Sequence, residues 1–271
     1  MKAAVLGLDG SKGKEITLPP VFGTPYRRDL IKKAYTILDT HHFQPKGTHP
    51  TAGMDVSADS LNPPTGHGQA RIARMKGGGG RRRGEAGEVA SIRGGRQAHP
   101  PKVQKVIHKK INKKEKKLAL CSAIAATASK STVAGRGHII DGIELPIVIS
   151  DDIESVSKAS EVRKILSALG LFADVNRLEG RKPRTGKSAL RGRPKKIGKS
   201  ILFVVGADGP VIRAVGGFPG VTARPARDLS VLDLAPGAEP ARLTVYSKAA
   251  IESLAGISSP HLGLAGKTDW T

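Results

Sequence analysis

Acidic residues are scarce in this sequence. Asp and Glu number 23 against 45 Lys and Arg, leaving a formal charge of +22 and an isoelectric point near 10.4. That excess goes far beyond what solubility requires and is expected of a chain that meets a polyanion, nucleic acid first among them. Aromatics are scarcer still, at 3% of residues, which argues against a module that stacks single-stranded bases on a platform of rings. Phosphate contact with already folded RNA fits better, because Arg and Lys supply position and affinity there without reading base sequence. The single cysteine, Cys121, rules out a disulfide within the chain and a thiolate metal cluster. In KLALCSAIAATA it falls on the apolar face of an expected helix and reads as a small buried hydrophobe. No stretch approaches the ~18 consecutive apolar residues of a spanning helix. The opening MKAAVLGLDG breaks at Asp9, short of a signal peptide's apolar core and cleavage site. A cytoplasmic protein with no membrane partner is the expectation.

Apolar periodicity is missing from one long internal stretch, residues 44–104, set between two segments that read as helices. Structureless loops beyond about 15 residues are uncommon in compact domains, so one this long is expected to be a functional extension. Its cations Arg71, Arg74, Lys76, Arg81, Arg82, Arg83, Arg93, Arg96 and Lys102 face only Asp55, Asp59, Glu85 and Glu88. Ordering sixty residues of backbone costs about 60–120 kcal/mol, which its few Val, Ile and Met side chains cannot offset. Alone, the extension should be disordered. Gly77, Gly78, Gly79 and Gly80 ahead of Arg81 suggest a tip whose backbone can approach a crowded surface closely.

The remaining ~210 residues suffice for one α/β domain with a single core. Residues 2–8 and 15–18 flank the turn-rich DGSKG as a β-hairpin. A helix is expected after Thr24 and Pro25, as cap and first-turn proline, with Leu30, Ile31, Ala34, Ile37 and Leu38 on its apolar face. His41 and His42 at its end read as a charge complement to the helix C-terminus. Asn112 and Glu115 have capping-box spacing for the helix INKKEKKLALCSAIAATASK. The β-branched runs LPIVIS (145–150) and ILFVV (201–205) have the form of strands buried on both faces. SKASEVRKILSALG reads as a helix closed by Gly170, and LFADV (171–175) as the next strand. Residues 176–200 form a second basic loop, with Lys187, Arg191, Arg193, Lys195 and Lys196 among its cations. GPVIRAVGG should be a short helical turn. Strands are expected near Val221 and at residues 243–246, with a helix capped by Ser247. The alternation predicts a Rossmann-like three-layer α/β body with a mostly parallel sheet, built from residues 1–43 and 105–257, plus the long basic extension 44–104 and a tail at 258–271.

Motifs for chemistry are weak. Thr185-Gly186-Lys187-Ser188 looks like the end of a phosphate-binding P-loop, but Gly180 to Gly186 leaves five intervening residues where four are needed, and no clear helix follows. His67, His99, His108 and His138 show no zinc spacing, so no metal or other cofactor is expected. Asp151-Asp152 after LPIVIS occupies the place where α/β enzymes put catalytic carboxylates; capping and turn-making is the favoured reading of the pair, since adjacent carboxylates at a strand exit also suit a helix dipole. An RNA-processing or nucleotide-dependent enzyme on this body is the rival to a scaffold. A pocket near Asp151 and Asp208 at the strand C-termini would tell them apart.

The order of segments resembles the fourth universal large-subunit ribosomal protein family in its archaeal and eukaryotic form. Carrying it are LPPVFGTPYRRDLI (18–31), GHGQARIARM (66–75), GGRQAHPPK (94–102), INKKEKKLALCSAIAATA (111–128), LPIVISDD, GKSALRGRPKKIGKSILFVV (186–205) and DLAPGAEPARLTVYSKAA (233–250). Gly66-His67-Gly68 departs from the family's Gly-Arg-Gly. The resemblance implies a structural, non-enzymatic protein whose body lies on the large subunit. Its partners would be ribosomal RNA, neighbouring subunit proteins and, at the tip around Met75 and Gly77–Gly80, the nascent peptide in the exit tunnel. The basic residues named in the two loops would then be RNA contacts.

Overall fold

The short apolar runs IVI, LFVV and TVYS alternate side chains between two faces, and both faces are dry. In the computed structural model, which describes residues 1–60, 66, 68, 70–76, 81–179, 183–195 and 198–257, the chain opens with strands β1 (Lys2–Leu6) and β2 (Lys12–Thr17) and helix α1 (Arg28–Asp39). Strands β3 (Ala58–Ser60) and β4 (Ala73–Met75) come next, then helices α2 (Lys113–Thr127) and α3 (Lys130–Gly135) and strand β5 (Ile147–Ile149). Helices α4 (Ala159–Ala168), α5 (Phe172–Glu179) and α6 (Lys187–Leu190) lead to β6 (Leu202–Val205), α7 (Val211–Val215) and β7 (Thr222–Pro225). Helix α8 (Val231–Leu234), strand β8 (Thr244–Ser247) and helix α9 (Lys248–Ala255) complete the described chain.

Six strands form one sheet in the order β2-β1-β5-β8-β6-β7, parallel except for the β1–β2 hairpin. Its register aligns side chains in lateral rows. Val5, Val148, Tyr246 and Val204 are successive partners and face one hydrophobic cluster, which α1, α2 and α9 cover with Ile31, Ile124 and Ile251. Ile147, Val245, Phe203 and Ala223 form the opposite row under Leu166 of α4, Val175 of α5 and Val215 of α7. Each fully buried Val, Leu, Ile or Phe contributes about 1.5–3 kcal/mol, so helices on both faces are what make so short a sheet stable. This is the three-layer, mostly parallel α/β body expected from the alternation. Cys121 lies in the α1/α2 layer, fully buried.

Local readings fail where tertiary partners intervene. LFADV is not a strand: Leu171, Val175 and Leu178 are buried at helical spacing, and Gly170 in the left-handed region (φ 71°) ends α4 and turns the chain into α5. A five-residue apolar run cannot distinguish the two periods. Helix α5 therefore claims residues 176–179 from the second basic loop, and α6 forms within that loop. Thr24 does not cap α1, which begins only at Arg28; its hydroxyl is buried without a hydrogen-bond partner. Ser122 of α2 fixes this entry instead, accepting from Arg27 N at 2.8 Å and donating to Pro25 O at 3.0 Å. Asn112 stands at the start of α2 with its side chain unbonded to the helix, and Glu115 turns away to Lys33 of α1 at 3.0 Å. Ser247 does cap α9, accepting from Ala250 N at 3.0 Å.

The chain divides into two compact units, one of Met1–Asp39 with the residues from Lys110 onward, the other Thr40–Lys109. The second unit carries a small ladder. β3 pairs antiparallel with β4, whose other edge bonds to residues 84–87: Met75 N to Glu85 O at 2.8 Å and Gly87 N to Ala73 O at 2.9 Å. Gly87 is indispensable there by sterics, since an added Cβ would sit 2.7 Å from Ala58 Cβ. It is also the one buried position among the described residues of this unit. Such a ladder has backbone bonds but no core.

Candidate nucleic-acid interface

The second unit holds its cations at the surface. Arg71, Arg81, Arg82, Arg83, Arg93, Arg96 and Lys102 are exposed, and Arg74 on β4 is half-buried. Few are consumed internally. Lys76 pairs with Asp59, Arg82 Nε donates to Glu85 at 3.1 Å, and Arg74 Nη1 to Gly84 O at 3.1 Å. These are solvent-screened contacts, and they leave most of the positive field directed outward. Met75 is half-buried against Gly87. Gly77, Gly78, Gly79 and Gly80, His67 and the tail 258–271 lie outside the described residues.

In the first unit, Lys187, Arg191, Arg193 and Lys195 are exposed around α6, and Lys196 lies outside the described residues. The turn is closed on itself: Arg184 N donates to Pro194 O at 2.7 Å and Arg193 N to Ser188 O at 3.0 Å. Gly186 precedes α6, so Lys187 and Ser188 do start a helix, though one of only four residues. Two buried groups root this segment, and sequence reasoning missed both. Asp174 of α5 accepts from His138 Nδ1 at 3.0 Å, from Arg177 Nε at 2.9 Å, from Ile139 N at 3.2 Å and from the Ser200 hydroxyl. Burial pushes its carboxyl up, but the donors His138, Arg177 and Ser200 more than reverse this and hold it well below the usual carboxylate range. Arg242 is fully buried and donates to Ser200 O at 2.6 Å, Ile201 O and Gly220 O at 2.9 Å, and Asp233 O at 3.1 Å. Burial pushes its guanidinium down to about 10. Both converge on Ser200, where the basic segment enters β6. The sequence signal for either was faint: a lone buried-type Asp inside an apolar run, and an Arg interrupting PARLTVY.

The strand C-termini are occupied by braces. Glu154 accepts from Gly206 N, just after β6, and from the Ser247 hydroxyl, both at 2.7 Å. Asp151 accepts from Ala249 N in the first turn of α9 at 2.7 Å, and Asp208 pairs with Arg227 at 2.7 Å. Asp151 and Glu154 thus tie the turn at residues 151–155 to the ends of β6 and β8 and to α9, and Asp208 is already paired. Among the described residues no group of His, Cys, Asp and Glu is placed to hold a metal, and no helix is long and apolar enough to cross a membrane. His41 and His108 neighbour one another with stacked rings, and each meets a backbone carbonyl, Lys109 O and Phe43 O; His41 and His42 end the short helical turn that continues α1.

A packed α/β body that bonds its own polar groups internally, and turns its cations outward from coreless or loop-borne segments, defines a polyanion-binding scaffold. The comparisons make that particular. The model of the ribosomal protein L4/L1 family matches residues 16–257. Among curated relatives, the large ribosomal subunit protein uL4 of Archaeoglobus fulgidus is 46% identical over 255 residues, covering 94% of this chain and 98% of the relative. Its namesakes in Pyrobaculum aerophilum and Methanocaldococcus jannaschii are 46% and 43% identical, covering 94% of this chain in each case and 90% and 98% of the relative. The chain belongs to the ribosomal protein L4/L1 family.

Proposed function

We propose that the chain is a non-enzymatic structural constituent of the large ribosomal subunit, in the cytoplasm, and that it binds ribosomal RNA through the extension 44–104 and through the segment around α6. The observation that carries the RNA contacts is the second unit itself: among its described residues one is buried, Gly87, beneath a surface of exposed Arg and Lys. Backbone ordering at about 1–2 kcal/mol per residue has no apolar core to offset it, so the partner must supply the stabilisation, and the charge selects a polyanion. Ribosomal RNA and neighbouring subunit proteins are the partners that a subunit constituent meets. On this reading Arg71, Arg74, Lys76, Arg81, Arg82, Arg83, Arg93, Arg96 and Lys102 contact RNA from the extension, and Lys187, Arg191, Arg193, Lys195 and Lys196 from the body. The tip around Met75 and Gly77–Gly80 reaches the wall of the peptide exit tunnel, beside the nascent chain.

Binding of the full chain to large-subunit RNA, titrated across a salt series, tests this. Each neutralised phosphate contributes about −0.7 to −0.9 to the slope of log K against log salt, so ten contacts give roughly −7 to −9. A flat response between low and moderate salt overturns the electrostatic account.

A further inference from the structure

The two ends of the second unit run side by side and leave an apolar groove between them. Thr48 N donates to Pro101 O at 3.0 Å, and His108 Nε2 donates to Phe43 O at 3.1 Å. Gly47 lets the segments close, since a Cβ there would stand 2.8 Å from Val103 Cγ2 and 2.9 Å from Val103 N. The groove, about 1230 Å³, is walled by Phe43, Pro45, Pro100, Pro101 and Val106. Phe43 is 54% exposed and Val106 85% exposed. Lys46, Lys102, Lys105 and Lys109 also line it, and no Asp or Glu is among its lining residues.

Phosphate binding alone explains the lysines but gives no reason to hold a phenyl ring and a valine in water beside them. A protein partner would explain the apolar wall, but protein interfaces are depleted in lysine, and four ammonium groups with no acid among them would face a surface of mixed charge. A nucleotide satisfies both halves at once: its base offers a flat apolar face, and its flanking phosphates offer the counter-charge. We infer that this groove receives an unstacked base of ribosomal RNA against the Phe43 ring, with the lysines on the phosphates beside it. One ring at one site needs no platform, so the scarcity of aromatics is no obstacle. The inference rests on the reading that the chain binds large-subunit RNA.

Full-length wild type, Phe43→Ala, Phe43→Trp and Lys105→Gln are titrated onto large-subunit RNA across salt, with ultraviolet cross-linking of the wild-type complex. Loss of one base stack lowers affinity about 5- to 150-fold, so Phe43→Ala should bind that much more weakly with its salt slope unchanged, and Phe43→Trp should restore binding. Lys105→Gln should flatten the slope by about 0.7–0.9, and a nucleotide adduct should map to Phe43. Phe43 is half in solvent and outside both hydrophobic clusters, so truncation does not remove a core side chain. Wild-type affinity for Phe43→Ala on a steep salt slope overturns the groove and leaves the RNA-binding reading standing. A Phe43 cross-link to a neighbouring protein in assembled subunits, in place of a nucleotide, overturns it in favour of a protein contact. A flat slope for the wild type overturns both.

Discussion

Asp174 decides more than its length suggests. It is fully buried, it accepts hydrogen bonds from His138, Arg177, Ile139 and Ser200, and it thereby joins the residues before β5, helix α5 and the entry to β6. Breaking a buried pair by removing one partner leaves the others uncompensated and costs about 3–5 kcal/mol. Asp174→Asn keeps the shape and should lower unfolding stability by about 3 kcal/mol at pH 7. The sign with pH follows from the carboxyl being held below its ordinary value. The folded state binds fewer protons than the unfolded, so the contribution is complete above the ordinary carboxylate pKa of about 4 and is lost as pH falls below it toward the folded value. Denaturant melts of both proteins at pH 7 and pH 3 measure this: the gap between them should narrow in acid. An equal gap at both pH values would show that Asp174 acts through the hydrogen bonds it accepts and not through its charge. Arg242 works beside it through four backbone carbonyls, and neither residue carries a pattern that spacing alone could expose.

Elements whose apolar pattern faces a single neighbour were legible in the sequence, and those fixed by distant polar partners were not. LPIVIS and ILFVV read as strands covered on both faces and residues 243–246 as a strand, as they are, and the α2 segment read as a helix with Cys121 on its apolar face. LFADV had the composition of a strand, but its Asp is the hub of a buried network and its Leu and Val continue a helix. Thr24 and Asn112 had the spacing of caps, yet Ser122 and the Lys33–Glu115 pair settle those ends from other helices. In the extension the charge was legible and the β3–β4 ladder was not, because three-residue strands held by backbone bonds leave no period behind. Hydrogen exchange should separate the two kinds of element. In the free protein β5 and β6, whose residues are all buried, should be protected to near the global unfolding free energy, while amides across 44–104 exchange quickly. Strong protection of β3 and β4 without RNA would mean that the ladder is stable alone.

At the scale of the whole molecule the division of labour follows from where burial lies. Both hydrophobic clusters draw their buried members only from the first unit, and the described residues of the second add a single buried glycine. Deleting residues 75–87 therefore removes no core side chain from the body, and its folding should survive. Neutralising Arg191, Arg193 and Lys195 changes no core residue either, but these cations sit on the segment that Asp174 and Arg242 root at Ser200, so their charge is presented from a braced site. A braced cation loses less entropy on meeting phosphate than one on a coreless ladder, which makes the α6 segment the better anchor per contact. The tip deletion should thus leave subunit incorporation largely intact and show itself in how nascent chains traverse the tunnel. The neutralised α6 segment should weaken incorporation first. Sedimentation of subunits from cells expressing each variant measures both: the variant protein should co-sediment with the large subunit after the deletion and be depleted from it after neutralisation. If the deletion blocks assembly more severely, the extension is the anchor, and the rooted segment serves the body's own fold instead.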